Sequence, residues 1–234
     1  MTVTVCYIHF PGSEKSQSYL YRFFTSYHQY PPGADCRVVL VSNAKPFDDL
    51  NRVYTDKDWQ IVYRPSNEGK DIGAHIEVAR TFKPELIVSF GQSVYFHREG
   101  WLRRLLEARV KNGPGMYGML SSNLVRPHLN TTCFACDADL LAHYPEHVVT
   151  QEHRYSFEHG KFPFWKWVET HGKQVRLVTF DGDWRPVDWR VPPNIFWRGD
   201  QSNCLVWCHH TDKFANAQPA TRLRWSAGAD TRFR

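Results

Sequence analysis

The sequence predicts an α/β fold in which helices flank a mixed, mostly parallel central sheet. Apolar runs rich in β-branched and aromatic residues, such as 3–10, 37–41 and 85–90, are typical of buried strands. A segment with apolar residues at helical spacing, 20–27, lies between the first two of these runs. Strands that alternate with helices in this way form parallel sheets with right-handed crossovers.

Stop signals separate the predicted elements. Pro11-Gly12-Ser13 ends the first strand, Pro31-Pro32-Gly33 ends the first helix, and Asn112-Gly113 ends a later one. Asp71 is in the position of a cap for the helix that follows the third strand. The remaining predicted elements are strands at 60–63, 117–121, 131–136 and 174–180 and helices at 99–111 and 164–171.

Composition is that of an ordinary globular protein. Of the 234 residues, 42% are hydrophobic and 23% are charged, which argues against a disordered chain. No apolar run approaches the ~18 residues of a membrane helix, and the N-terminal sequence lacks the features of a secretory leader. We therefore expect a cytoplasmic protein without a transmembrane segment, from a bacterium or a virus-infected cell.

The net charge of +5 is concentrated near the C-terminus. Residues 184–234 contain eight Lys and Arg against four Asp and Glu, whereas residues 1–183 are almost neutral. This basic segment is also rich in Trp, Pro and Arg. We interpret 1–183 as the domain core and 184–234 as an extension packed on it.

Six cysteines invite a disulfide or a metal interpretation. Cys133-Phe-Ala-Cys136 is a CxxC motif, and Cys204 with Cys208-His209-His210 could supply further zinc ligands. The CxxC, however, lies in a predicted strand, where residues three apart point to opposite faces. The length of the chain and the absence of an export signal favour free, buried thiols, with a zinc site as the alternative.

Loops at the carboxyl ends of the predicted strands are the expected ligand site, because open α/β sheets bind ligands there. Their order resembles the nucleotide-sugar glycosyltransferases of the GT-A type, particularly the family-2-like enzymes, over about residues 3–182. The resemblance rests on these pieces: Arg64-Pro-Ser-Asn67-Glu-Gly69-Lys-Asp71-Ile-Gly73-Ala74, Leu86-Ile-Val-Ser-Phe-Gly91, Gly100-Trp101-Leu102 and Phe157-Glu158-His159-Gly160.

The resemblance implies a single GT-A, Rossmann-like domain. It also implies transfer of a sugar from a nucleotide-diphosphate sugar to a hydroxyl acceptor such as a saccharide. The base would lie against Phe10 and Pro11, polar groups would bind base and ribose, and Arg64 or Lys70 would neutralise phosphate. The expected donor-binding residues are Phe10, Pro11, Asn43, Arg64, Asn67, Asp71, Gly91, Gln92 and Ser93.

One departure from the family pattern concerns the metal. Members usually carry an Asp-x-Asp after the central strand, and its carboxylates hold a divalent cation on the diphosphate. Here the position reads Gly91-Gln92-Ser93, without the carboxylates that Mg²⁺ or Mn²⁺ prefers. We expect no metal site of this type, although ligands from elsewhere remain an alternative, and basic groups would then bind the phosphates. Candidates for phosphate or acceptor contacts are His97, Arg98, Trp184, Arg198 and Gln201.

Two acids compete for the catalytic role. By the resemblance to inverting enzymes, Glu158 opens a helix near the acceptor and deprotonates its hydroxyl. Asp200, in Arg198-Gly199-Asp200-Gln201, resembles an element of some retaining enzymes and would face the anomeric carbon. A helix cap or a surface charge is the structural alternative for each, so the stereochemical outcome stays open.

Two other functions compete with transfer to a saccharide. A DNA-modifying glycosyltransferase acting on a hydroxymethylated base would use the basic, Trp-rich segment to grip phosphates and stack on a displaced base. A catalytically inactive protein that binds a glycan or a nucleotide would explain the missing Asp-x-Asp. Salt-dependent DNA binding favours the first, and nucleotide binding without turnover favours the second.

Overall fold

The computed structural model describes residues 1–46, 59–122, 127–189 and 197–231, with side chains described up to 227. Its strands are β1 Val3–His9, β2 Arg37–Asn43, β3 Trp59–Arg64, β4 Leu86–Phe90, β5 Gly115–Gly118, β6 Ser121–Ser122, β7 His128–Leu129, β8 Cys133–Asp137, β9 Gln174–Val178 and β10 Asp183–Trp184. Its helices are α1 Glu14–Gln29, α2 Lys70–Phe82, α3 Trp101–Asn112, α4 Ala138–Ala142, α5 Gln151–His159, α6 Phe164–Thr170, α7 His209–Ala215 and α8 Pro219–Thr231.

Eight of the strands in the described residues form the central sheet, in the order β10-β9-β5-β8-β4-β1-β2-β3. The pairs β1–β2, β1–β4, β2–β3 and β5–β9 are parallel. Strands β8 and β10 are antiparallel to their neighbours. The predicted mixed, mostly parallel sheet flanked by helices is confirmed, and all carboxyl ends of β1 to β4 reach the same edge.

Some predicted boundaries are wrong where the chain leaves the sheet early. The strand expected at 117–121 is β5, which ends at Gly118, and Ser121–Ser122 instead pairs with β7 in a separate small sheet. The strand expected to reach residue 180 ends at Val178, because the Thr179 hydroxyl donates to Asp181 within a turn that leads into β10.

Two hydrophobic clusters cover the two faces of the sheet. The first contains Phe23 of α1 and Trp101 of α3, and the second contains Phe157 of α5 and Phe164 of α6. Strand β1 contributes alternate residues to the two clusters, as the two-residue period of a strand requires.

The CxxC motif follows the same alternation. Cys133 lies in the first cluster and Cys136 in the second, on opposite faces of β8. All six cysteines are free thiols, and Cys36 alone among them is not fully buried. Burial raises the pKa of Cys133 and Cys136 well above the ordinary value, so both stay protonated at neutral pH.

The segment after β10 returns to the core. Leu205, Val206 and Cys208 are completely buried within the first cluster. Short antiparallel bridges tie Cys204 to Thr179 and Trp207 to Tyr95. The boundary that we placed between residues 183 and 184 falls inside β10. Of the basic residues in this segment, Arg190, Arg232 and Arg234 lie outside the described residues.

A buried histidine should make the fold sensitive to acid. His75 of α2 is completely buried, its Nδ1 lies 3.4 Å from the Cys6 thiol, and its Nε2 has no partner among the described residues. Burial lowers its pKa from 6.5 to about 3, and the charge of Arg154 contributes to this shift. The unfolded chain therefore binds a proton below pH 6.5 that the folded chain does not bind, and stability falls as the pH drops from 6.5 toward 3.

We expect this one residue to cost about 1.4 kcal/mol per pH unit below pH 6.5. Urea unfolding followed between pH 7.5 and 4.5 measures the slope. His75→Leu, which removes the titration and the unpartnered nitrogen, should flatten the slope by about that amount. An unchanged slope in the variant would assign the acid sensitivity to other groups.

In the part of the chain that the structure describes, no helix combines the length and the apolar character that a membrane crossing requires.

Candidate active site

A cleft of about 470 Å³ opens at the carboxyl ends of β1 and β4. Its walls come from the first turns of α1 and α2, from one face of α5 and from the start of α7. Of the residues for which the sequence predicted a role in the site it contains Phe10, Lys70, Asp71, Gly91, Gln92, Ser93 and Glu158. It also contains residues for which the sequence predicted no role in the active site, namely Ser13, Lys15, Ser16, Tyr19, Asn130, Thr132, Arg154, His209 and His210.

The loop after β1 places a lysine at the cleft. Ser13 caps α1 by accepting a 3.1 Å hydrogen bond from the Ser16 backbone N–H. Lys15 therefore lies in the first turn, and Tyr19 follows one turn later on the same side. The Lys15 ammonium is 5.7 Å from the centre of the Tyr19 ring. Lys15 thus brings an exposed positive charge to the cleft.

The loop after β4 forms the floor of the cleft. The Gly91 N–H donates to the Thr132 carbonyl at 2.8 Å, and the Tyr7 hydroxyl donates to the Gln92 carbonyl at 2.7 Å. The Ser93 hydroxyl and His209 Nδ1 share a hydrogen bond of 2.6 Å. The Gly-Gln-Ser sequence that replaces the Asp-x-Asp is therefore a well-fixed part of the cleft.

Asp71 does not cap its helix, which corrects the sequence-based interpretation. The cap is Gly69, and Asp71 is the second residue of α2. Its Oδ1 pairs with Arg154 Nη2 at 2.6 Å and accepts a hydrogen bond from the Ile72 N–H. Burial raises the pKa of Asp71 against the opposing charge of Arg154, and nearby Glu158 adds to the rise.

A glutamine links two cations beside this pair. Gln151 Oε1 accepts a hydrogen bond of 2.9 Å from Lys70 Nζ and one of 3.0 Å from Arg154 Nη1. Lys70 and Arg154 are thus held next to each other, on α2 and α5. The charge of Arg154 is balanced by Asp71, whereas no acidic group pairs with Lys70 among the described residues.

Glu158 lies in the last turn of α5, so the expectation that it opens a helix is wrong. Its Oε1 accepts a 2.8 Å hydrogen bond from the Thr131 N–H. His128 Nε2 is 3.9 Å from the same oxygen. The other oxygen, Oε2, receives no hydrogen bond from the described residues. A carboxylate fixed through one oxygen and open at the other is suited to accept a proton.

Two histidines reach the cleft from the C-terminal segment. His209 and His210 begin α7, and their ring centres are 3.8 Å apart. Burial lowers the pKa of His209 and lowers that of His210 to about 4, and each shift is increased by neighbouring positive groups such as Lys213. Both shifts favour neutral imidazoles at neutral pH.

The predicted donor residues on β2 and β3 form a network beside the cleft. Arg64 Nη1 donates to Asn43 Oδ1 at 2.9 Å and to the Ser66 carbonyl at 2.6 Å, and Asn43 donates to Asn67 Oδ1 at 2.7 Å. Arg64 Nε also pairs with Glu77 at 2.7 Å. These contacts fix the loop that leads into α2, and none of the three side chains lies among those around the cleft. Pro11 follows Phe10 but does not line the cleft either.

His97 and Trp184, which were predicted to contact phosphate or acceptor, lie near β9 and β10. His97 stacks on Trp207 at 4.2 Å, and the Trp184 indole donates to Thr179. Asp200 is exposed and accepts hydrogen bonds from the N–H and hydroxyl of Ser202, which lower its pKa. The structure therefore separates Asp200 from Glu158. Arg98, Arg198 and Gln201 are likewise not among the residues around the cleft.

An ion pair holds α7 in place. Arg22 of α1 donates to both carboxylate oxygens of Asp212, at 2.6 and 2.7 Å, and the Tyr95 hydroxyl donates to Asp212 Oδ1 at 2.5 Å. Burial alone would raise the pKa of Asp212, but these hydrogen bonds bring it below its ordinary value. The ion pair thus keeps His209 and His210 at the cleft.

We expect Asp212→Asn to lower the free energy of unfolding by about 2 kcal/mol, because Arg22 loses its partner while partly buried. Asp188→Asn is the matched control, since Asp188 pairs with Arg185 at the surface and its loss should cost less than about 1 kcal/mol. Urea unfolding of both variants makes the comparison. Equal losses would show that the Arg22 pair is no stronger than a surface pair.

Ligands for a metal ion are scarce in the cleft. Among residues 1–46, 59–122, 127–189 and 197–231, no group of three or more His, Cys, Asp or Glu is arranged to hold a metal ion. The oxygens at the usual metal position are those of the Gln92 amide and the Ser93 hydroxyl. The ligand atoms that these side chains offer do not fit the divalent cation that the family resemblance implies.

No protein-family model matches the sequence, and no curated protein matches it significantly. Solved structures with a similar fold include a putative glucose-1-phosphate thymidylyltransferase from Bacillus anthracis, with a TM-score of 0.51 and 10% identity over 75% of this chain and 85% of that chain. TarS of S. aureus gives a TM-score of 0.50 and 12% identity over 70% of this chain. The mannosyltransferase PcManGT from Pyrobaculum calidifontis gives a TM-score of 0.47 and 14% identity over 61% of this chain.

The chain spans 33% of the TarS chain and 46% of the PcManGT chain. At these identities the likeness concerns the fold. Together with the strand order and the position of the cleft, the likeness to TarS and to the thymidylyltransferase shows that this chain has the GT-A-type, Rossmann-like fold.

Proposed function

We propose that the protein is a glycosyltransferase that uses a nucleotide-diphosphate sugar and transfers the sugar to a hydroxyl acceptor. The observation that carries the proposal is the cleft itself. It contains Glu158, a carboxylate with one oxygen open, and the cations Lys15 and Lys70, all at the carboxyl edge of the sheet. Inverting sugar transfer from such a donor uses a proton acceptor for the acceptor hydroxyl and positive groups for the diphosphate.

The donor would lie along the strand ends. Phe10 follows β1 at the cleft and offers an apolar surface to the base, as the resemblance implies. The diphosphate would then lie near the first turns of α1 and α2, where Lys15 and Lys70 are found. This arrangement directs the sugar toward Gln92 and Asp71, and leaves the acceptor on the side of Glu158.

In the proposed reaction Glu158 acts as the general base. The acceptor oxygen bonds to the anomeric carbon while Glu158 takes the hydroxyl proton. The bond from the anomeric carbon to the phosphate oxygen breaks, and its electron pair leaves with the nucleoside diphosphate. The Thr131 N–H holds Oε1, so the proton goes to Oε2. Direct attack of this kind inverts the anomeric centre.

A two-step experiment tests the proposal. Thermal shift with UDP, GDP, CDP, ADP and dTDP identifies the nucleotide, and at a hundredfold excess over Kd we expect a rise in Tm of about 5–10 °C. The matching nucleotide sugars are then incubated with saccharides and with DNA containing hydroxymethylated bases, and release of nucleoside diphosphate is measured. Acceptor-dependent release supports the proposal.

Two other outcomes count against it. Stabilisation by a nucleotide without turnover on any acceptor would favour the binding protein that lacks catalysis. If no nucleotide raises the Tm, the cleft is not a donor-binding site. Turnover on DNA alone, with a strong dependence on salt, would identify nucleic acid as the acceptor.

A further inference from the structure

The described residues of the cleft do not supply the oxygens for a divalent cation, but they include positive side chains. At the position of the usual Asp-x-Asp, Ser93 is already bonded to His209, and Gln92 offers an amide. Asp71 and Glu158 are the carboxylates among the described residues of the cleft, and Asp71 is paired with Arg154 at 2.6 Å. Mg²⁺ and Mn²⁺ need several oxygen ligands, and this set does not supply them.

Lys15 and Lys70 bring two unbalanced positive charges to the same cleft. They come from the first turns of α1 and α2, which follow β1 and β3 at the carboxyl edge of the sheet. Lys70 is hydrogen-bonded to the neutral Gln151, and Lys15 lies near the Tyr19 ring. Neither is paired with a carboxylate among the described residues. Their combined charge equals that of one divalent cation.

Other basic groups of the cleft are less suited to this role. The charge of Arg154 is balanced by Asp71. His209 and His210 have pKa values lowered by burial, so they add little positive charge at neutral pH. Arg154 instead shares Gln151 with Lys70 and fixes the position of that ammonium.

We infer that Lys15 and Lys70 bind the diphosphate of the donor directly and replace the metal ion of the usual GT-A site. This inference rests on the proposed function for the identity of the donor. When the bond to the anomeric carbon breaks, negative charge grows on the leaving phosphate oxygen. Two ammonium groups that donate charge-assisted hydrogen bonds to this oxygen and its neighbours stabilise it, as a cation would.

Binding of inorganic pyrophosphate and of UDP, measured by calorimetry in EDTA and again with Mn²⁺, tests the inference apart from catalysis. We expect pyrophosphate to bind in EDTA, with an affinity that falls as salt rises and changes less than about threefold with Mn²⁺. Lys15→Met and Lys70→Met should each weaken binding about tenfold or more.

Lys173→Met is the matched control, because Lys173 is exposed and precedes β9 at the opposite edge of the sheet. It should bind pyrophosphate like the unaltered protein. Binding that disappears in EDTA and returns with Mn²⁺ would overturn the inference, as would Lys15 and Lys70 variants that bind like the control. The melting temperature of each variant shows that it is folded.

The same experiments separate this inference from the proposed function. Transfer that proceeds only with Mn²⁺ would leave the glycosyltransferase standing and overturn the lysine site. Binding through the two lysines in EDTA, without transfer to any acceptor, would support the lysine site and count against the glycosyltransferase.

Discussion

Glu158→Gln is expected to lower kcat for sugar transfer by about 10²–10⁴-fold, because the amide cannot take a proton from the acceptor. The substitution keeps the shape of the side chain and an oxygen for the Thr131 N–H, which now donates at 2.8 Å. Affinity for the nucleotide should therefore change little. The measurement is the rate of acceptor-dependent nucleoside diphosphate release at saturating substrates, together with nucleotide binding and Tm.

Glu152→Gln provides the control on the same helix. Glu152 lies in the first turn of α5 and does not line the cleft. Its substitution should leave kcat unchanged. If both variants keep full activity, Glu158 is not the base. If kcat is retained and only nucleotide affinity falls, Glu158 acts on the donor instead.

Gly69→Ala should destabilise the fold by about 3 kcal/mol or more. Gly69 has φ 64°, and a Cβ added there would lie 1.9 Å from the Val148 carbonyl oxygen. The clash is with backbone, so the loop before α5 or the start of α2 has to move. Because Lys70 and Asp71 follow directly, nucleotide affinity should fall with stability. Urea unfolding and calorimetry measure the two effects.

Gly172→Ala is the control for Gly69→Ala, because it has the same left-handed backbone conformation without a clash. Gly172 has φ 68°, and a Cβ added there would meet no atom within 4 Å. It should cost only the ~1–2 kcal/mol of a left-handed residue with a side chain. The excess loss in Gly69→Ala is then the cost of the contact with Val148. Equal losses would show that the loop at Val148 moves away freely.

The fold could be predicted because its central strands are buried on both faces. Strands β1, β2 and β4 appear in the sequence as continuous apolar runs, which is the pattern of strands covered by helices on both sides of a sheet. The short strands β6 and β10 could not be predicted, since two residues form no periodic pattern. Helix α5 could not be predicted from an apolar pattern either, because its residues are mostly polar and Phe157 is its one fully buried residue.

About a third of the cleft follows from the rule that ligands bind at carboxyl ends of parallel strands. The rule leads to Phe10, Asp71 and the Gly91-Gln92-Ser93 loop, which all lie at the cleft. It does not find Arg154, because a helix face carries no such positional rule. The exposed positive charges among the described residues of the cleft are those of Lys70, which was predicted from the sequence as a phosphate-binding candidate, and of Lys15, which was not.

The histidines of α7 show why the rest of the site could not be predicted from the sequence. His209 bonds to Ser93 across 116 residues of sequence, and only the tertiary fold brings them together. In the sequence, the neighbouring cysteines suggested a zinc interpretation for the same histidines. Cys208 instead lies in the first hydrophobic cluster, which places His209 at the edge of the core.

The hydrogen bond between Ser93 and His209 also sets an order of events during protein synthesis. The strands that carry the floor of the cleft leave the ribosome first, and 116 residues separate Ser93 from its partner. At about 5–20 residues per second, roughly 6–23 s pass before His209 is made. Until then the nascent sheet lacks Leu205, Val206 and Cys208, and the apolar surface that they cover is open to chaperones.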